Sequence, residues 1–132
     1  MGHALMKRLG WLGWLVVLIA IVTVLSGAVQ VVCPAFVLGI IGSETGAAAR
    51  HFFGIVGMFM VLFGGLALHG VFAHSSPALL WSGLQKVGAV AAVVLGIRHG
   101  VFSLIALAVA GFDLVSAALI LLYWKRVARG AD

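Results

Sequence analysis

Residues 9–32 read LGWLGWLVVLIAIVTVLSGAVQVV, a stretch of 24 residues without a charged side chain. As a helix that rises about 1.5 Å per residue, it is long enough to cross the roughly 30 Å hydrocarbon core of a bilayer. The apolar part of a cleavable leader has only about 7–15 residues. The stretch therefore predicts an uncleaved first transmembrane helix, which ends at Cys33 because Pro34 disfavours helical backbone in the residue before it.

The composition of the whole chain leads to the same class of protein. Of its 132 residues, 64% are hydrophobic and only 8% are charged, and the mean hydropathy is +1.29. A soluble domain is roughly half apolar and about a quarter charged, so this chain lacks the residues for a water-facing surface. Its single cysteine excludes an intramolecular disulfide and a cysteine-based zinc site.

Three further apolar segments follow, at residues 47–73, 77–97 and 101–124. Because the connections between them are short, consecutive helices are expected to be antiparallel neighbours. The sequence predicts an all-α fold, an up-down four-helix transmembrane bundle that forms a single membrane domain over residues 1–132. The longest connection, residues 33–46, is apolar enough to form a short re-entrant or surface helix.

The basic residues predict the orientation of this bundle. The loops on one side contain Arg50 and Arg98, whereas five basic residues flank the two ends of the chain. Those five are Lys7, Arg8, Lys125, Arg126 and Arg129. By the positive-inside rule both termini are cytoplasmic, in a multi-pass protein of the bacterial inner membrane. Membrane lipids account for the excess of basic charge, and no nucleic-acid partner is expected.

Two opposite charges in the last two apolar segments form the first candidate site. Lys86 interrupts the stretch WSGLQKVGAV at residues 81–90, and Asp113 lies near the middle of the following segment. A hairpin that turns at His99 brings both to the same depth, within about 1.5 Å. A lone charge at the bilayer centre costs at least about 2.5–3.5 kcal/mol. We therefore predict a buried ion pair, with Gln85 as an additional partner.

Small residues share a helix face with each member of this pair, which predicts that the two faces pack together. They are Ser82, Gly83, Ala89, Ala106, Ala110, Ser116 and Ala117, with Val109 as a bulkier member. The role of the pair stays open at this point. An intramembrane ionisable group is a candidate proton or cation site. The alternative is a neutral pair that sets the register of two helices or joins a partner subunit.

A second candidate site lies on the predicted outer side, where six polar or ionisable residues converge. They are Gln30, Glu44, Arg50, His51, Arg98 and His99. They form either a vestibule for a lipid headgroup, a quinone head or another anion, or only a ring of headgroup anchors. His51 and His99 are also placed to ligate a haem. The HExxH spacing of a metal site is missing from the sequence, and no metal is predicted.

Catalytic constellations are missing from the sequence, because it offers no nucleophile beside a base and no pair of acids. The proline after the first helix, the glycine-rich run GIVGMFMVLFGGLAL at residues 54–68 and two further short-looped helices resemble the DoxX-like group of small four-helix membrane proteins. The resemblance spans roughly residues 9–124. It implies an association with quinone-linked oxidoreductases, and it transfers no catalytic residue.

Three functions remain open on the sequence alone. The first is a non-catalytic accessory or anchoring subunit that binds a lipid or quinone. The second is a small oligomeric transporter or channel component that uses Lys86 and Asp113. The third is a haem- or quinone-linked redox subunit. The expected partners are membrane lipids, further copies of the chain, or a larger membrane complex.

Overall fold

The computed structural model describes residues 2–42 and 46–130, with side chains from Leu9 onward. The regular elements of these residues are helices: α1 (Gly2–Val32), α2 (Pro34–Ile40), α3 (Ala47–Phe72), α4 (Ser76–Arg98) and α5 (Ala106–Arg129). All but α2 are long and apolar enough to cross a membrane. The predicted all-α class is therefore confirmed, and four helices have the length and apolar composition that the predicted membrane spans require.

The long helices pack as two pairs, with α1 mainly against α3 and α4 mainly against α5. Glycines allow the first pair to approach closely. A Cβ atom added to Gly27 would lie 2.6 Å from the carbonyl oxygen of Gly57, and one added to Gly64 would lie 3.0 Å from that of Ala20. Small residues at such contacts favour helix association in a membrane, where van der Waals packing replaces much of the hydrophobic effect.

An apolar core joins the two pairs near one end of the molecule. Its buried members come from α1, α3, α4 and α5, and they are Leu9, Leu12, Val16, Val17, Ile19, Val71, Leu79, Ile120 and Tyr123. At the same end, the indole Nε1 of Trp124 in α5 donates a 2.9 Å hydrogen bond to the hydroxyl of Ser76 in α4. A smaller cluster of Leu38, Ile41 and Ala106 packs the end of α2 against the start of α5.

The boundaries of the last helix differ from the sequence prediction of 101–124. Residues 99–105 stay outside the helix because Gly100 has a φ of 71° and Ser103 is held by Ile41. The backbone N–H and the hydroxyl of Ser103 each donate a 3.0 Å hydrogen bond to the carbonyl oxygen of Ile41. At the other end, α5 continues through Lys125 to Arg129, since basic side chains interact favourably with a helix C-terminus.

The first helix begins earlier than residue 9 and is kinked. Gly10 has φ 63° and ψ 175° inside α1, a backbone conformation that glycine adopts without the strain of a Cβ atom. The kink separates Gly2–Leu9 from the apolar segment that follows. The short helix predicted in the connection after Cys33 is present as α2, and Pro34 occupies its first turn.

Candidate functional site

The structure brings Lys86 and Asp113 into direct contact. The Nζ atom of Lys86 in α4 lies 2.7 Å from Oδ1 of Asp113 in α5, and the two side chains are only 4% and 10% exposed. The ring of Phe112 lies 5.2 Å from the same Nζ atom and adds a cation–π contact. The geometry is that of a charge-assisted hydrogen bond between two groups shielded from solvent.

The two helices meet through the small residues that the sequence placed around this pair. Ser82, Gly83, Ala106, Ala110, Ser116 and Ala117 are buried. Val109, the bulkier member of the predicted stripe, is instead exposed. Its exposure follows from the packing, because a valine between Ala106 and Ala110 would hold the two helices apart.

Gln85, the predicted third member, is half-buried beside the pair. Within the described ranges, no hydrogen bond joins its amide to Lys86 or Asp113. It lines a small cavity of about 10 Å³ together with Lys86, Ser82 and Thr23. The remaining walls of this cavity are apolar or glycine and come from α1, α3 and α5; they are Ile19, Ala20, Phe63, Gly64, Ala67 and Ile120. Polar residues of α1 and α4 thus line the same small cavity.

The hydroxyls near the pair donate to the backbone of their own helices. Thr23 Oγ1 donates to the carbonyl oxygen of Ile19 at 2.9 Å, and Ser82 Oγ donates to that of Ala78 at 2.8 Å. Each oxygen therefore keeps its acceptor lone pairs available. Ser116, one turn after Asp113, has a buried hydroxyl without a hydrogen-bond partner among the residues described.

A groove of about 800 Å³ lies on the outside of the α1–α3 pair. Most of its walls are apolar, and they consist of Ala28, Val31, Pro34, Gly54, Ile55, Met58, Val61 and Leu62. Arg50 and His51, in the first turns of α3, supply its ionisable groups. From Arg50 to Leu62 the groove follows about 18 Å of helix. It therefore offers a long apolar surface with a basic end.

The predicted outer vestibule is divided by the structure. Arg50 and His51 line the groove, whereas Arg98 and His99 are exposed at the end of α4 and do not line it. Gln30 is buried between α1 and α3, where its Nε2 atom donates a 2.9 Å hydrogen bond to the carbonyl oxygen of Phe53. This bond fixes α1 to α3 beside the groove. Glu44, the sixth predicted member, lies outside the described residues.

Of the two histidines considered as haem ligands, His51 lines the groove and His99 does not. His51 is exposed and packs edge-on against Phe52, with ring centroids 6.0 Å apart. His69 and His99 are also exposed. Among residues 2–42 and 46–130, no group of three or more His, Cys, Asp or Glu side chains is placed to hold a metal ion. The two sites that the structure builds are therefore the ion pair with its cavity and the groove.

Sequence reasoning missed Thr23 and the groove. Thr23 carries the one hydroxyl among the aliphatic residues of Leu18–Leu25. That contrast was the signal in the sequence that could have marked it as a candidate site residue. That Thr23 lines the same cavity as Lys86 depends on how the helices are rotated against each other, which local sequence does not specify. The groove likewise depends on how α1 and α3 cross.

No protein-family model, curated protein or solved structure matches the chain. The class of protein therefore follows from the fold and the sites alone. Four helices suited to crossing a bilayer define a small multi-pass membrane protein. Among the side chains that the structure describes, the charged groups lie in an internal pair, at a groove end and at the ends of helices.

Proposed function

We propose that the protein is a non-catalytic accessory or anchoring subunit that holds a lipid or quinone in the groove between α1 and α3. One observation carries this proposal: a long apolar groove ends at Arg50 and His51. An amphiphile has the same pattern, with an alkyl chain next to a polar head.

The chemistry of the groove fits an anionic or strongly hydrogen-bond-accepting head. The guanidinium of Arg50 offers five N–H donors in a planar fork, which suits phosphate and carboxylate oxygens. Ile55, Met58 and Leu62 continue the groove along α3 and match an alkyl chain. Gln30 fixes the two helices beside the groove, so less conformational freedom is lost when a ligand binds.

The proposal includes an up-down antiparallel bundle with both termini in the cytoplasm of a bacterial cell. Contacts of Gly27 with Gly57 and of Ala20 with Gly64 support the antiparallel arrangement, because residue numbers rise along α1 as they fall along α3. The basic residues at the chain ends support the orientation. Arg50 and His51 then lie at the outer face of the inner membrane. The DoxX-like resemblance agrees with a quinone-linked partner complex.

Ligand binding in the groove is tested by filling the groove with a larger side chain. A Cβ atom added to Gly54 or Gly88 meets no other atom within 4 Å, but Gly54 lines the groove and Gly88 lies on α4. We expect Gly54→Leu to weaken binding of an added amphiphile about tenfold, equivalent to about 1.4 kcal/mol, and Gly88→Leu to leave it unchanged. Native mass spectrometry in mild detergent would measure binding of phosphatidylglycerol, phosphatidylcholine and ubiquinone.

A second matched pair of variants, measured in the same experiment, tests which polar head group the groove binds. Arg50→Gln removes the basic end of the groove, whereas Arg98→Gln removes an exposed arginine elsewhere. We expect Arg50→Gln alone to abolish a preference for phosphatidylglycerol over phosphatidylcholine. Equal binding of all three probes by the unchanged protein, Gly54→Leu and Gly88→Leu would contradict the proposed function.

A second candidate function rests on the ion pair. A buried Lys86–Asp113 contact beside a small cavity that Thr23, Ser82 and Gln85 help to line is an arrangement that proton and cation transporters use. Since one chain of four helices has little room for a pathway, this function would require an oligomer. The redox alternative has less support, because His51 lines the groove and His99 does not.

A further inference from the structure

We infer that the small cavity between the two helix pairs binds one water molecule, which hydrates the Lys86–Asp113 pair and links α4 to α1. The cavity is lined by residues of α1, α3, α4 and α5. It is separate from the groove, since the two share no lining residue. The inference is therefore independent of the proposed function.

The size of the cavity fits one water molecule. Its volume of about 10 Å³ is at the lower limit of about 10–15 Å³ that admits a single water. Volume alone does not decide occupancy, because cavities lined only by apolar groups stay dry. Thr23, Ser82, Gln85 and Lys86 contribute to the lining of this cavity, so it is not lined by apolar residues alone.

Lys86 supplies the donor that such a water requires. Its ammonium group has three N–H donors, and one of them is used by Asp113 Oδ1 at 2.7 Å. In the part of the chain that the structure describes, Asp113 is the hydrogen-bond acceptor of this group. Hydrocarbon offers no acceptor for the remaining donors, and an unsatisfied polar group there is strongly unfavourable. A water in the cavity gives Lys86 a second acceptor.

Thr23 and Ser82 supply the acceptors for the water's own hydrogens. Both hydroxyls donate to carbonyl oxygens within their own helices, so both oxygens can accept. The water then accepts from Lys86 and donates to Thr23 and Ser82. Three hydrogen bonds are the usual number for a buried water. The amide of Gln85 lines the same space and offers a further partner.

This water would change the character of the pair. Lys86 belongs to the α4–α5 pair and Thr23 to the α1–α3 pair, so the hydrogen bonds through the water join the two halves of the molecule. The Lys86–Asp113 ion pair would then be hydrated by a water molecule whose protons can exchange, rather than being a dry contact between two helices.

The acceptor role of Thr23 gives the first test. Thr23→Val replaces the hydroxyl with a methyl group of similar shape, so the water loses a partner while the packing is kept. We expect the midpoint of thermal unfolding in detergent to fall by several degrees, with Thr23→Ser close to the unchanged protein. Ser26→Ala, which removes an exposed hydroxyl of the same helix, serves as control. In a dry cavity Thr23→Val would be neutral or stabilising, because a hydroxyl bonded to its own helix slightly destabilises that helix; that result would overturn the inference.

The second test observes the water without relying on stability. The chain has three lysines, Lys7, Lys86 and Lys125, so the double variant Lys7→Arg/Lys125→Arg isolates the signal of Lys86. Water-edited solid-state NMR of the ¹⁵Nζ-labelled protein in phosphatidylcholine vesicles should show transfer from water protons to this nitrogen. Adding Thr23→Val should reduce that transfer. Absence of transfer in the double variant would overturn the inference, whatever the thermal data.

Discussion

Lys86 shows how a charged residue is accommodated in a chain that is 64% hydrophobic. Its ammonium lies 2.7 Å from Asp113 and 5.2 Å from the Phe112 ring, so an opposite charge and an aromatic face replace solvent. The partner was predictable because Lys86 and Asp113 lie nearly the same number of residues from His99, where the turn was expected. In the structure the connection covers residues 99–105, and the two side chains still meet. Thr23 was not predictable, because its proximity to Lys86 arises between helices that are distant in sequence.

The pair predicts a non-additive response to mutation. Lys86→Met and Asp113→Leu should each lower thermal stability in detergent, because each leaves one buried charge without its partner. Breaking a buried pair costs about 3–5 kcal/mol in soluble proteins, and less in a membrane, where the stranded group changes protonation or reaches the interface. The double variant should regain much of the loss. Strictly additive losses in differential scanning fluorimetry would show that the two residues do not interact.

The same double variant separates two roles of the pair. If the protein transports a proton or cation through this site, the stable double variant should be inactive in a liposome flux assay. Unchanged flux, or unchanged assembly with a partner complex, would show that Lys86 and Asp113 have only a structural role.

At the level of the helices, α1 and α3 are held together by backbone contact rather than by large side chains. A glycine-rich run such as that in α3 is typical of close helix packing in a membrane, but the sequence does not distinguish its members. Gly57 and Gly64 are buried against α1, whereas Gly65 is exposed. The difference depends on the rotation of α3 about its axis, and a helix that is apolar on every side leaves that rotation undetermined.

Two glycines of α3 give a matched test of this packing. A Cβ atom at Gly57 would lie 2.7 Å from the carbonyl oxygen of Gly27 and 2.9 Å from the Cβ of Gln30, whereas one at Gly65 meets nothing within 4 Å. We expect Gly57→Ala to destabilise the protein by about 1–3 kcal/mol, the usual cost of overpacking. Gly65→Ala should be neutral or slightly stabilising, since alanine favours helix over glycine. Equal unfolding midpoints for the two variants would contradict the close approach of α1 and α3.

For the molecule as a whole, the number and type of helices followed from composition and segment length, because 20 or so apolar residues have few alternatives to a membrane helix. The main pairs, α1 with α3 and α4 with α5, join helices across the two longer connections and not across the shortest one, residues 73–75. The groove and the cavity could not be predicted from the sequence, since both are spaces left where helices cross. The division of the predicted vestibule, with Arg50 in the groove and Arg98 outside it, has the same origin.

The proposed orientation predicts a clear labelling pattern in cells. Cysteines introduced as His3→Cys or Gly130→Cys, in a Cys33→Ser background, should react with a membrane-impermeant maleimide only after permeabilisation. The unchanged protein, in which the native Cys33 is exposed at the end of α1, should react in intact cells and provides a separate control. Ready labelling of position 3 or 130 in intact cells would reverse the orientation.

The two hydrogen bonds from Ser103 to the carbonyl oxygen of Ile41 have a mechanical consequence. Pro34, at the first turn of α2, forms part of the groove wall, and Ile41 follows the last turn of the same seven-residue helix. A helix this short moves as a rigid rod instead of bending. If an amphiphile bound in the groove displaced Pro34, α2 would carry the movement to Ile41 and stretch both bonds at Ser103, so a loop beside α5 would resist the widening of a groove that it does not line.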